Sequence, residues 1–243
     1  MVWEGVIGYS DVKKHKLADH NTKYRIGSVS KAITATAVMR MQEKNMLSIE
    51  DSFNRYVEDY PHENSMFTLR QLLTHQGGVR HYNTYLSENF SRTEYSTTRE
   101  AASIVENDAL LFTPGKDFHY STYGYTLLSL AMESAYSAPF EKIMYDEIFM
   151  PAGMVDTEFD KGESASSSNR ATPYIDAMGT LYPSPEVNLS YKYAGGGFLS
   201  TASDMVRFGN TLLSDTLLNT GSKELMWTPV ALDNGDMNPQ LMH

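Results

Sequence analysis

A chain of 243 residues, 41% of them hydrophobic, can bury a sizeable core as one large domain or two small ones. A formal net charge of −10 and the lack of a basic stripe argue against a nucleic-acid partner, because phosphate binding relies on clustered Lys and Arg. With no cysteine, disulfides, thiolate zinc sites and a Cys nucleophile are excluded, and no apolar run approaches the ~18 residues that span a bilayer.

In chain order, residues 1–9 read as a strand without the basic n-region of a targeting signal, and 10–23 as a polar stretch. From Ser28 to Asn45 the pattern turns helical. Ala32, Ile33, Ala35, Ala37, Val38, Met39 and Met41 cover so many faces that the helix is expected to be packed on several sides. Thr68 and Gln71 have capping-box spacing and open "LRQLLTH", which Gly77-Gly78 should end through a left-handed residue. Residues 98–110 read as helix, "FTPGKDF" as a turn, and "TYGYTLLSLAMESA" as a helix with Tyr123, Leu127, Leu130 and Ala131 on one side. The small, polar segment 163–173 is the most loop-like. Further strands are expected only in "ATPYIDA" and "GGGFLS". Thr201 to Asp204 again has capping spacing, ahead of a stripe of Met205, Phe208 and Leu212. The pattern predicts a mostly helical chain.

Several chemistries are absent from the sequence. There is no Gly-x-Ser-x-Gly elbow and no phosphate loop, and Gly195 and Gly197 lack the strand–turn–helix setting of a dinucleotide site. The seven histidines show no i, i+4 pairing; His75 and His81 flank a Gly turn and read as structural or surface residues rather than metal ligands. Ser-x-x-Lys occurs twice, at Ser10–Lys13 and Ser28–Lys31. Only the second opens a helix, where residues three apart share a face and the free N–H groups favour an alkoxide or oxyanion. On the pair alone, a helix-capping serine beside a solvated lysine stands as the alternative.

Context separates those readings. "YRIGSVSKAIT", "LLTHQGGVRHY", "YSTYGYTLLS", "MPAGMVDTEF" and "YKYAGGGFLSTASDMVRFGN" resemble, in order, landmarks of the serine β-lactamase and penicillin-binding-protein superfamily. They are most similar to its class C, esterase-like branch and the animal mitochondrial subgroup. Thr122 stands where the bacterial lactamases carry Asn, and this fits that subgroup. The resemblance implies an α+β fold, an α/β sandwich of β-lactamase/transpeptidase-like type, mostly helical here with an incomplete antiparallel sheet. It implies one incomplete domain over 1–243, with 1–60 and 190–243 as the core portion and 61–189 as a helical and loop lobe. It also implies roles: Ser28 as acylated nucleophile, Lys31 as the neighbour removing its proton, Tyr120 as the phenolic proton shuttle, and Thr122 and Gly196 as substrate contacts.

The implied activity is acyl transfer on a peptide, amide or ester without cofactor or metal, in a mitochondrial setting linked to lipid metabolism. A free Tyr titrates near 10 and a free Lys near 10.4, so either must shift by about 3 units to act as a base near pH 7. Desolvation is expected to lower the lysine and a nearby cation the tyrosine. The family's third motif, Lys-Thr-Gly or His-x-Gly on a strand, has no counterpart after "AGGGFLST". The resemblance therefore implies a chain truncated at both ends, with an open sheet edge. One lost oxyanion donor costs about 10²–10³ in rate. Two alternatives follow: an impaired relative that self-associates as a homo-oligomer, and a helical binding module unrelated to hydrolases.

Overall fold

The computed structural model describes residues 3–61, 66–83, 85–162 and 169–238. It is an α+β arrangement of helices with small antiparallel sheets. A hairpin of β1 (Tyr9–Asp11) and β2 (Lys16–Leu17) leads to β3 (Tyr24–Arg25) and then α1 (Val29–Glu43). Next come the short helices α2 (Leu69–Leu73), α3 (Tyr85–Asn89) and α4 (Thr98–Ala102), and the long α5 (Thr122–Tyr136). Helix α6 (Phe140–Met144) runs into a π-helical turn at Tyr145–Phe149. β4 (Glu158–Phe159) precedes the hairpin β5 (Tyr174–Ala177) and β6 (Thr180–Pro183). A 3-10 turn, Ser190–Lys192, leads through α7 (Tyr193–Gly196) and β7 (Phe198–Ser200) into α8 (Ala202–Leu213) and α9 (Thr220–Trp227). Among the described residues no helix is long and apolar enough to cross a membrane.

Helix α1 is buried on most of its circumference, including Ser30, Lys31 and every residue from Ile33 to Met39. Such a helix needs neighbours on all sides, and α5, α6, α7 and the π-helical turn supply them. The first three turns of α5 are buried in the same way. Strand β7 lies between β3 and β4, all antiparallel, with all three of its residues buried. Phe198 packs edge-to-face on Phe159 at 5.0 Å and on Phe149 at 5.5 Å, and Phe140 meets Phe159 at 5.8 Å. This aromatic knot locks β7 and β4 onto α6. Ile26 N–H donates to the Phe198 carbonyl at 3.2 Å. The start of α1 is thereby held beside the α7–β7 segment.

The Thr68 capping box is complete, with both reciprocal bonds made. Its helix leaves through His75, at φ +59, before Gly78 takes a positive φ of +74. The left-handed exit expected at Gly77-Gly78 thus begins two residues earlier. Helix α4 ends at Ala102, not 110, because the Ser103 hydroxyl takes the Glu100 carbonyl and the next amides bond three residues back. The strand expected over 1–9 is confined to Tyr9–Asp11; Gly8 interrupts it at φ +90, and Met1 and Val2 lie outside the described residues. Residues 163–168 of the expected loop also lie outside them. Strands of two residues, such as β3 and β4, leave no alternation to read in a sequence.

Candidate active site

Ser28 sits at the mouth of α1, after Gly27 at φ +52, a backbone region that glycine enters without a Cβ penalty. Its side chain makes no capping bond to the helix, so the hydroxyl is not spent on the backbone. Instead Ser28 Oγ accepts from the Tyr120 hydroxyl at 2.7 Å and lies 3.4 Å from Lys31 Nζ. Lys31 is 0% exposed, so it is not the solvated lysine of the alternative reading. Its Nζ donates to the Gly195 carbonyl at 2.6 Å and the Thr122 hydroxyl at 3.2 Å. Among the described residues no carboxylate pairs with it. Burial, then the charge of Lys192, lowers its pKa to about 7.

Lys31 Nζ donates to the Gly195 carbonyl, the Thr122 hydroxyl and, at the long end of bonding distance, Ser28 Oγ, which accounts for the three N–H groups of an ammonium. Loss of one proton leaves two donors and a lone pair among the same three partners. Tyr120 behaves differently from expectation. Burial raises its pKa, against smaller lowering by hydrogen bonds with Ser28 and Thr122, and Lys31 Nζ lies 4.7 Å from its ring centroid without reversing the sign. The phenol keeps its proton at neutral pH, and Lys31 is the more easily deprotonated of the two.

Two histidines hold Tyr120 in place. The Ser121 N–H donates to His75 Nδ1 at 3.1 Å, and the Thr122 N–H to His81 Nδ1 at 3.2 Å. The His75 ring packs 4.5 Å from Tyr120, and His81 meets it edge-on at 5.5 Å. Burial, then Lys31, lowers His81 to about 4, which keeps Nδ1 an acceptor at neutral pH. Ser121 caps α5 by accepting from Gly124 N–H at 3.0 Å. From the other side, Thr34 donates to the Ala194 carbonyl at 2.9 Å and Thr126 to the Tyr191 carbonyl at 2.8 Å, fixing the strip that carries Gly195. A Cβ on Gly195 would lie 2.6 Å from Thr122 Cγ2 and 3.0 Å from its carbonyl, so the close approach requires glycine.

The structure brings Ser28, Lys31, Tyr120, Thr122 and Gly196 together. All but the buried Lys31 line a cleft of about 230 Å³, with His81, Tyr82, Asn89, Lys192 and Gly195. Sequence reasoning missed Gly195, Lys192 and the clamping role of the histidines. The triple glycine signalled a close backbone approach, but not which residue makes it. At the other Ser-x-x-Lys, Ser10 is buried and its hydroxyl donates to the Lys16 and Leu17 carbonyls at 3.4 and 3.2 Å. Among the described residues, no group of three or more His, Asp or Glu is placed to hold a metal.

The family model described as Beta-lactamase matches residues 1–238. The serine beta-lactamase-like protein LACTB, mitochondrial, of Homo sapiens is 28% identical over 94% of this chain and 57% of its own length. Penicillin-binding protein 4* of Bacillus subtilis is 27% identical over 94% of this chain and 53% of its own. The chain therefore spans about half the length of these curated relatives. Among solved structures, a penicillin-binding protein from Bacillus halodurans superposes with a TM-score of 0.80 at 24% identity, covering 96% of this chain and 72% of that one. The octameric penicillin-binding protein homologue from Pyrococcus abyssi gives 0.78 at 26% identity, over 91% and 52%.

Proposed function

The chain belongs to the Beta-lactamase family and has its β-lactamase/transpeptidase-like fold, and from that premise we propose that it is a serine hydrolase transferring the acyl group of an ester or amide to water through Ser28. The observation that carries this reading is one hydroxyl held between a phenol at 2.7 Å and, at 3.4 Å, a buried lysine that no carboxylate pairs with among the described residues. Neutral Lys31 accepts the Ser28 proton as Oγ attacks the acyl carbon. The oxyanion forms at the N-terminus of α1, where the Ser28 N–H has no partner among the described residues and the helix dipole favours negative charge. Tyr120 gives its proton to the leaving group and regains one from the Lys31 ammonium, so the proton lost by serine ends on the departing atom. Water then attacks the acyl-serine, and the same relay runs in reverse.

A fluorophosphonate probe and a p-nitrophenyl ester test the reading. Wild-type chain is expected to be labelled and to turn the ester over, and Ser28→Ala to lose both, by about 10⁴–10⁶-fold in rate. Labelling that survives Ser28→Ala, or none in the wild type, overturns it. Self-association is a second reading, supported by exposed Trp3, Ile7 and Leu17 around the β1–β2 hairpin and by the octameric homologue. Light scattering behind size exclusion decides it, with a monomer at micromolar concentration as the contrary result. A mitochondrial setting is supported by the mitochondrial relatives of human, cattle and mouse, against relatives that are bacterial; subcellular fractionation tests it.

A further inference from the structure

The reaction derived above leaves one buried charge of the cleft unused. Lys192 closes the 3-10 turn before α7 and is 8% exposed, yet it lines the same cleft as Ser28. Its Nζ donates to Asn89 Oδ1 at 2.7 Å and to the Tyr82 hydroxyl at 3.2 Å, and lies 5.1 and 5.0 Å from the ring centroids of Tyr82 and Tyr191. All of these partners are neutral. Among the described residues no carboxylate pairs with it. Other enclosed cations here do have one: Arg170 has Asp160, Lys223 has Asp215, Lys23 has Glu158, and Arg80 has both Glu88 and Asp108. The carboxylate next in sequence to Asn89, Glu88, is taken by Arg80, by Tyr123 and by the Asn83 amide.

Burying a charge without an opposite one is costly, and an apolar side chain of similar length would avoid that cost. An ammonium carries three donors, and two are used here. Burial, then Arg25, lowers the Lys192 pKa only to about 8, so the charge persists at neutral pH. Lys31, the other amine of the site, is the one tuned towards neutrality. Two lysines at one site thus differ: Lys31, behind the cleft wall, gives up its proton more readily, and Lys192, on the wall, keeps it with no carboxylate opposite among the described residues.

We propose that Lys192 is an anion-recognition residue, and that the cleft takes acyl donors bearing a carboxylate seated on its free N–H, between Tyr82 and Asn89. The word donor rests on the hydrolase reading; the anion site itself does not. The test is calorimetric binding to the full chain carrying Ser28→Ala, with monomethyl glutarate as charged probe and dimethyl glutarate as neutral one. The charged probe is expected to bind about 10- to 100-fold more tightly, as for a charge-assisted hydrogen bond in an enclosed site. Adding Lys192→Met should erase that preference, and Lys192→Arg should keep most of it. Equal affinities, no measurable binding of the charged probe, or a preference that survives Lys192→Met overturns the proposal. The two-probe comparison needs no change at Lys192, so a variant that fails to fold does not remove the test. Fluorophosphonate labelling of wild-type Ser28 is read in parallel. Anion preference without labelling sinks the hydrolase reading and leaves the site standing, and labelling without preference does the reverse.

Discussion

Ser10 and Ser28 each precede a lysine by three residues, and the backbone around them makes those residues different chemical objects. In β1 the Ser10 hydroxyl is turned into the hairpin and bonded to two carbonyls, while Lys13 stands in solvent. At the head of α1 the Ser28 hydroxyl faces a cleft, free of backbone bonds, and Lys31 is inside the protein on the same face. A helix places i and i+3 together, whereas a strand and turn do not. The further difference is solvation. Water around Lys13 has been replaced at Lys31 by a carbonyl, a hydroxyl and two aromatic faces. On the proposed reading, identical spacing becomes a nucleophile–base pair only where desolvation makes the amine give up its proton.

The largest separation between the two copies is expected from removing the amines. Lys31→Met should lower ester turnover by about 10²–10⁴-fold, the usual yield of a positioned base, and Lys13→Met should leave it unchanged. On the proposed reading, in which the neutral amine takes the Ser28 proton, the wild-type rate should rise as pH passes through about 7. Stability carries the same signature. The Lys31 pKa is depressed from 10.5, so between about 7 and 10.5 the unfolded chain holds the extra proton and stability rises with pH. Below that window the folded chain bears the whole cost of the buried charge, on the order of a few kcal/mol. Lys31→Met removes it, so urea midpoints should favour the variant more at pH 6 than at pH 9.5. A pH-independent difference would show that Lys31 is not held near neutrality.

Tyr120→Phe sharpens the comparison at the hydroxyl, since among the described residues the Ser10 hydroxyl is bonded to carbonyls and to no phenol. The ring keeps its packing on His75 while the proton donor is lost. Turnover of an anilide should fall about 10²–10³-fold, and that of a p-nitrophenyl ester by much less, because p-nitrophenolate leaves without a proton. Equal losses on both substrates would exclude Tyr120 as the acid.

The next effect is smaller and lies in the strip that supports Lys31. Gly195→Ala drives a Cβ onto Thr122, its backbone carbonyl included, whereas one on Gly196 meets nothing closer than 3.8 Å. Overpacking of this kind costs about 1–3 kcal/mol. Thermal melts should therefore show Gly195→Ala well below Gly196→Ala. The Gly195 carbonyl, 2.6 Å from Nζ, should move and shift the pH midpoint of turnover.

Much of this site was legible in the sequence, for local reasons. The apolar breadth of α1, the Thr68 capping box and the opening of α5 each lie within a few neighbouring residues, where periodicity and capping apply. Bringing Tyr120 to Ser28 needed family order, since the two lie 92 residues apart. What stayed hidden is long-range or a matter of sign. His75 and His81 reach α5 across 46 and 41 residues, Lys192 reaches Asn89 across 103, and nothing local announces either contact. The Tyr120 shift runs opposite to the lowering expected from a nearby cation, because burial outweighs the hydrogen bonds and Lys31 is already neutral at the pH where a phenol titrates.

Ser10→Ala is the smallest predicted effect and the control on all the others. The β1 region is a staple: Asp11 accepts from the Lys14 amide at 3.0 Å, from Tyr174 at 2.8 Å and from Thr172 at 3.0 Å, tying the first hairpin to β5 and the residues before it. Those donors, the Lys14 amide first, hold its carboxyl well below the usual range. Ser10 contributes one hydroxyl to the same junction, shared between two carbonyls at the long end of bonding distance. Its loss should cost about 1 kcal/mol or less in a urea melt and leave ester turnover and fluorophosphonate labelling at wild-type levels. A drop in turnover beyond what the lost stability explains would mean that the hairpin feeds into the cleft. The contrast between the two serines would then be one of degree, because both copies would bear on the same reaction.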